Sequence, residues 1–250
     1  MSIVALYTDF GVSSPYVGQM KAVIARGIEG VECIDLLHEA PRFDPRSSAY
    51  LLAALVRYMP RGVVYLCVVD PGVGGERCAL WVKTEQGHFI GPDNGLMSQV
   101  IRDAQEAQIR ALDWPEEGMS ASFHGRDLFA PAAVRLLRGE ILKGQDLAPG
   151  EVVGADWPVE LARVVYIDPF GNFFTGLSAR AMRKDTVIQV VGEHITYART
   201  FCEVPAGAGF WYENSCGLVE VAVNQGSAQA RFGLQVGDPV GVLVRGTRRY

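Results

Sequence analysis

Val63-Val64-Tyr65-Leu66-Cys67-Val68-Val69-Asp70-Pro71-Gly72-Val73-Gly74-Gly75-Glu76-Arg77 is an apolar, β-branched run that breaks into a glycine-rich loop. The run reads as a buried strand, which is a rigid mount. Pro71, Gly72, Gly74 and Gly75 let the backbone turn sharply and approach a ligand closely. Asp70 is thereby held at the mouth of the loop, and Arg77 is placed to return to the same pocket. Taken alone, the same residues also describe a turn with an aspartate and a surface arginine, so the rest of the chain must decide.

The pattern recurs on both sides. Ile3 to Thr8 is an apolar strand ending in Thr8-Asp9-Phe10-Gly11, and a hairpin of Cys78 to Thr84 with His88 to Gly91 delivers Pro92-Asp93-Asn94-Gly95. A helix is predicted over Tyr16 to Ile28, with Val17, Met20, Val23, Ile24 and Ile28 on one face, Ser13 or Ser14 as cap and Pro15 in its first turn. Val31 to Leu37 is a second strand, His38 to Asp44 a loop, and Pro45 to Tyr58 a helix buried along Ala49, Leu52, Ala53 and Val56. Farther on come a helix over Leu96 to Ala104, a short strand Ile109 to Leu112, a polar loop Ser122 to Asp127 and a helix Leu128 to Leu137.

Strands alternating with helices predict an N-terminal α/β domain, residues 1–150, with a largely parallel sheet. Ligands of such sheets bind outside the carboxyl ends of the strands, where Asp9, Asp70 and Asp93 all fall. Gly144 to Pro158 lacks apolar periodicity and reads as a linker. Beyond it, short strands at Leu161 to Ile167, Thr186 to Val191, Ile195 to Phe201, Gly209 to Tyr212, Leu218 to Val223 and Val240 to Arg245 predict a smaller C-terminal all-β, barrel-like domain over 159–250.

Composition narrows the partners. The chain has 250 residues, 49% hydrophobic, and 23 Lys+Arg against 28 Asp+Glu leave a net charge of −5. Apart from the short Arg245-Arg248-Arg249 tail there is no basic cluster, so nucleic acid is not expected as a partner. Met1 to Leu6 enters a strand without a basic or long apolar leader, and no run reaches membrane-spanning length. Five widely spaced cysteines read as reduced thiols. A cytoplasmic protein is expected, without a membrane association.

Six stretches, in order, then carry a resemblance: Thr8-Asp9-Phe10-Gly11, Val69-Asp70-Pro71-Gly72-Val73-Gly74, Pro92-Asp93-Asn94-Gly95, Phe123-His124-Gly125-Arg126-Asp127, Asp168-Pro169-Phe170-Gly171-Asn172 and Asn214-Ser215-Cys216-Gly217-Leu218-Val219-Glu220. Together they resemble the adenosine-forming S-adenosyl-L-methionine (SAM) hydrolases, or SAM hydroxide adenosyltransferases, kin to fluorinases and chlorinases. The resemblance covers nearly the whole chain. It implies hydrolysis of SAM to adenosine and L-methionine without a cofactor, in a homotrimer whose sites lie between the N-domain of one subunit and the C-domain of the next. Asp70, Arg77 and His124 match the triad of the water-using branch.

The same matching puts Asp9 on the ribose diol, which a carboxylate accepts in bidentate fashion, and Tyr212, Ser215 and Glu220 in a second adenosine-contacting segment. Glu220 reads equally as an outward strand residue. Asn172 is suited to the adenine edge, and Phe170, Trp211 or Phe43 to its face, although each aromatic alone reads first as core. No metal motif is present to acidify water, so side chains must do it: His124, of unperturbed pKa about 6.5, is able to take the proton while Arg77, held by Asp70, orients the oxygen. Gly125 stands where a fluoride-binding enzyme is expected to carry serine. Ser14 and Cys216 depart from the family's acid and the halogenases' arginine near the methionine end. The rival readings are a chlorinase-like halogenase and a nucleoside-binding protein without turnover.

Overall fold

The computed structural model describes residues 2–113 and 118–243. The chain separates into two compact units, Met1–Trp157 and Pro158–Tyr250. The first contains β1 (Ile3–Thr8), α1 (Pro15–Gly27), β2 (Glu32–Leu37), α2 (Pro45–Val56), β3 (Val63–Val68), β4 (Ala79–Lys83), β5 (Gly87–Pro92), α3 (Ser98–Asp103), β6 (Gln108–Leu112), α4 (Ala130–Leu137) and β7 (Gly144–Leu147). They build one seven-stranded sheet in the order β2-β1-β3-β5-β4-β6-β7. The first four run parallel, and β4, β6 and β7 complete the sheet in antiparallel pairings.

Side-chain alternation assigns the two faces. Val4 and Leu6 of β1, with Val64 and Leu66 of β3, pack against Met20 and Ile24 of α1 and Ala132 and Ala133 of α4. Tyr7 points the other way, and its hydroxyl donates to Ser48 O of α2 at 3.0 Å. With helices on both faces, the central strands are buried throughout, which is why they read as continuous apolar runs. The chain steps from β1 to β2 on one side and then to β3 on the other. That reversal opens a crevice at the carboxyl ends of β1 and β3, where Asp9 and Asp70 stand.

Two expectations are corrected here. Gly144–Leu147, read as linker, is the edge strand β7 paired with β6. The segment read as loop up to Asp127 is already helical, because a π-helical turn, Gly125–Phe129, precedes α4.

The second unit contains β8 (Leu161–Ile167), β9 (Phe173–Ser178), β10 (Val187–Val190), β11 (Glu193–Ile195), β12 (Gly209–Glu213), β13 (Leu218–Val223), α5 (Ala228–Phe232) and β14 (Gly241–Leu243). They form two antiparallel sheets, β12-β13-β9-β8 and β11-β10-β14. Val164, Phe173, Val219 and Val221 from one share a core with Ile188, Val190 and Ile195 from the other. The strand expected to reach Phe201 stops at Ile195, β9 was not anticipated, and α5 adds a helix to a domain expected to be all β. Part of the strand expected over Val240 to Arg245, and the arginine tail, lie outside the described residues. Among the described residues no helix is long and apolar enough to cross a membrane.

Candidate active site

Asp70 stands two residues beyond the end of β3, and its side chain is only 5% exposed. Arg77 comes back to it across the loop: Nε donates to Oδ1 at 2.7 Å and Nη2 donates to Oδ2, a bidentate pair. Gly74, at φ +80°, makes this return possible, since a Cβ there would stand 2.4 Å from the Ala121 carbonyl oxygen. The loop is therefore pressed against the segment that carries His124. Arg77 Nη2 also donates to His124 Nδ1 at 2.9 Å.

That contact settles a tautomer. A guanidinium has no acceptor, so Nδ1 must accept, and the proton of the neutral ring sits on Nε2. With Nδ1 accepting from Arg77 and the ring proton on Nε2, the neutral His124 ring has no open lone pair in this geometry, which differs from the proton-accepting role expected of it. Its mount is the π-helical turn, held by Arg126 to Asp127 Oδ1 at 2.7 Å, Arg126 to Gln19 Oε1 at 2.9 Å and Ser120 N to Asp127 Oδ2 at 2.9 Å. Asp70 and His124 line a cavity of about 70 Å³ walled by Phe10, Tyr16 and Phe123, whose rings meet edge to face. A larger hollow of about 290 Å³ around Arg57, Glu85 and Asp103 lies at the opposite end of the parallel strands.

Asp9 is half-buried beyond β1. Burial raises its pKa, while the Phe43 N–H, donating to Oδ2 at 3.1 Å, opposes that. Phe43 reaches this position with φ +58°, and its ring is 76% exposed. The third strand-end acid, Asp93, is structural: its Oδ1 accepts from Val153 N at 3.0 Å.

The second unit gathers another polar cluster. Asp168 accepts from Phe170 N at 2.9 Å, Asn172 N at 2.8 Å and Asn172 Nδ2 at 3.1 Å, closing the loop after β8. Asn172 is 5% exposed, and Phe170, at 77%, stands out from the loop. Glu220 does not face outward. It is 2% exposed, and its pKa is pushed up to about 7, chiefly by burial, against the hydrogen bond that the Tyr212 hydroxyl donates to Oε1. The same burial and Glu220 itself push the Tyr212 hydroxyl far up.

Asn214 supplies a donor not singled out from the sequence. Its Oδ1 accepts from Cys216 N at 2.9 Å and Leu218 N at 3.0 Å, which fixes the amide. Its Nδ2 is buried beside Glu220, whose carboxyl the Asn214 side chain helps to hold down against the effect of burial. Ser215 is exposed beside it, and the neighbouring Cys216 thiol is raised by burial.

Trp211 is a correction. It is 1% exposed within the core shared by the two sheets, with Nε1 donating to Thr186 O at 2.9 Å, and no ring face is left for a ligand. Among the described residues no group of His, Cys, Asp or Glu has the makings of a metal site.

The model of the SAM hydroxide adenosyltransferase N-terminal domain matches residues 4–145, and that of the C-terminal domain matches residues 162–241. The chain belongs to the SAM hydroxide adenosyltransferase family. Within that family, it is 38% identical to an (R)-S-adenosyl-L-methionine hydrolase of Thermus thermophilus, over 97% of this chain and 100% of that one. A protein of the same name from Salinispora arenicola is 35% identical, over 96% of this chain and 97% of that one. A fluorinase from Nocardia brasiliensis is more distant, at 24% over 97% of each. The crystal structure of an uncharacterized conserved protein from Thermotoga maritima gives a TM-score of 0.85 at 31% identity, covering 96% of this chain and 99% of that one.

Proposed function

We propose that this SAM hydroxide adenosyltransferase hydrolyses S-adenosyl-L-methionine by attack of a water-derived oxygen on the ribose C5′, giving adenosine and L-methionine. The observation that carries the reading is Arg77, donating to both Asp70 and His124, which line a small cavity. The C5′–O bond forms as the C5′–S bond breaks, and its electron pair neutralises the sulfonium. Sulfur leaves without needing a proton, so catalysis reduces to aligning the oxygen and holding it as hydroxide, the proton of the water having passed to bulk solvent before attack. Donors suit hydroxide better than water. The Arg77 guanidinium, held between Asp70 and His124, favours the deprotonated oxygen as a small anion.

In the same reading Asp9 accepts the ribose diol, and exposed Phe43 and Phe170 offer ring faces to adenine. Asn172 Nδ2 donates to Asp168, and the reading assigns its Oδ1 to the adenine edge as an acceptor. Tyr212, Ser215 and Glu220 surround this half, with Glu220 as a buried support. The homotrimer belongs to the proposal: Val12, Phe43 and Val73, exposed by 76%, 76% and 36%, surround the crevice as an apolar rim suited to a neighbouring subunit. So does a cytoplasmic location, which suits five free thiols.

Purified protein in EDTA should convert SAM to adenosine and methionine, read by chromatography. Formation of 5′-chloroadenosine in chloride buffer would support the halogenase instead. Recovery of bound, unaltered SAM would support the binding protein.

A further inference from the structure

Behind Asp9 lies a buried polar chain that the proposed hydrolysis does not use. Thr8 Oγ1 and His38 Nδ1 are 2.9 Å apart, with Thr8 0% and His38 6% exposed. His38 Nε2 lies 2.9 Å from Asp35 Oδ1, and Asp35 Oδ2 accepts from Lys21 Nζ at 2.6 Å. Carboxylate, imidazole and hydroxyl in line are the parts of a nucleophilic triad. Thr8 is no nucleophile, because a substrate has no access to it and its Oγ1 already accepts from Phe10 N at 3.3 Å.

What the chain holds is backbone. His38 grips the Thr8–Gly11 turn at both ends, its ring on Thr8 Oγ1 and its carbonyl accepting from Gly11 N at 2.6 Å. Ala40 N donates to Thr8 O at 3.1 Å, and the same loop supplies the Phe43 N–H to Asp9 Oδ2. With a neutral imidazole every group is matched. Phe10 N–H donates to Thr8, Thr8 O–H to Nδ1, Nε2–H to Asp35, and Lys21 to the other Asp35 oxygen.

We propose that His38, clamped between Asp35 and Thr8, is a positioning residue that fixes the Asp9 carboxylate in the orientation that receives the ribose diol. The proposal rests on the ribose role assigned to Asp9.

The test titrates adenosine by calorimetry and measures KM and kcat for SAM in Thr8→Val, Thr8→Ser, Asp35→Asn and Asp9→Ala beside the wild type. Valine keeps the branched shape in the strand and puts a methyl where the hydroxyl stood. Thr8→Val should weaken adenosine roughly tenfold and raise KM, with kcat changed less than about threefold, whereas Thr8→Ser should stay within about twofold of wild type. Wild-type adenosine affinity in Thr8→Val, or an equal loss in Thr8→Ser, overturns the proposal. If Thr8→Val does not fold, Asp35→Asn decides at the exposed end of the chain: weakened adenosine binding supports the clamp and unchanged binding refutes it. Asp9→Ala that binds adenosine as well as wild type takes down the Asp9 reading and the clamp together. A loss in Asp9→Ala with none in Thr8→Val takes down the clamp alone.

Discussion

A carboxyl group only 2% exposed, as Glu220 is, is easier to bury protonated than charged, and its pKa of about 7 against the ordinary 4.5 expresses that difference. Below the lower value both folded and unfolded chains carry the proton, and above the upper value neither does. Between them the unfolded chain has released a proton that the folded chain keeps, so stability falls as pH rises through this window. Glu220→Gln should therefore be more stable than wild type by roughly 3 kcal/mol at about pH 8, with the gain vanishing near pH 4. Thermal unfolding at both pH values checks it, and a constant gain would mean that Glu220 does not titrate in this window. The triad makes a separate prediction. Arg77→Ala or His124→Ala should cut turnover by roughly 10²-fold and leave adenosine affinity nearly unchanged, while Asp9→Ala should cost roughly 1.5–3 kcal/mol of adenosine binding. Calorimetry beside single-turnover rates separates the two roles, and triad variants that lose adenosine as badly as Asp9→Ala would overturn the assignment. Asp70 and Arg77 stand out in the sequence through their glycine-rich loop, and His124 joined them only through the family resemblance; the structure brings the three into contact. The burial of Glu220 and the placing of the Asn214 amide beside it were not legible, since they depend on what β9 and the loop before it bring alongside.

At the level of elements, the strand ends and the helices between them were readable from apolar runs broken by glycine. What escaped had compensating contacts that no local pattern encodes. β9 carries Gly176 at its middle, normally a mark against a strand, but a Cβ there would lie 2.6 Å from Leu161 Cβ, so the close pairing of β8 requires the glycine. β7 has only Leu147 as a large apolar residue and is a strand because β6 offers it an edge. The loop from Asp70 to Arg77 yields a prediction of the same kind. Gly74→Ala must force the loop away from Ala121 and so stretch the contact between Arg77 and His124. Turnover should drop by roughly tenfold or more, with adenosine affinity retained. Gly62→Ala serves as the control, with the same φ of +80° and nothing within 4 Å of the added Cβ. If both variants lose activity equally, backbone strain rather than the separation of the triad is responsible.

For the whole molecule, the polar groups assigned to the ligand fall into two sets on two separate units, Asp9, Asp70, Arg77 and His124 on one, Asn172, Tyr212, Ser215 and Glu220 on the other. A homotrimer that joins the sets across subunits should scatter light as three chains of 27.2 kDa. Mass alone does not say which subunit completes which site, and mixing two dead variants does. His124→Ala disables only the first set and Asn172→Ala only the second, so each homotrimer is inactive. In mixed trimers formed by co-expression at equal levels, a site shared between neighbours draws an intact first set from one variant and an intact second set from the other. Random assortment around a closed ring makes about a quarter of the sites whole, and about that fraction of wild-type turnover should return. A site contained within one chain gives none, because every chain carries one of the two lesions. Activity of the co-expressed mixture no higher than that of the separate variants would therefore refute the shared site, even for a protein that is trimeric by mass.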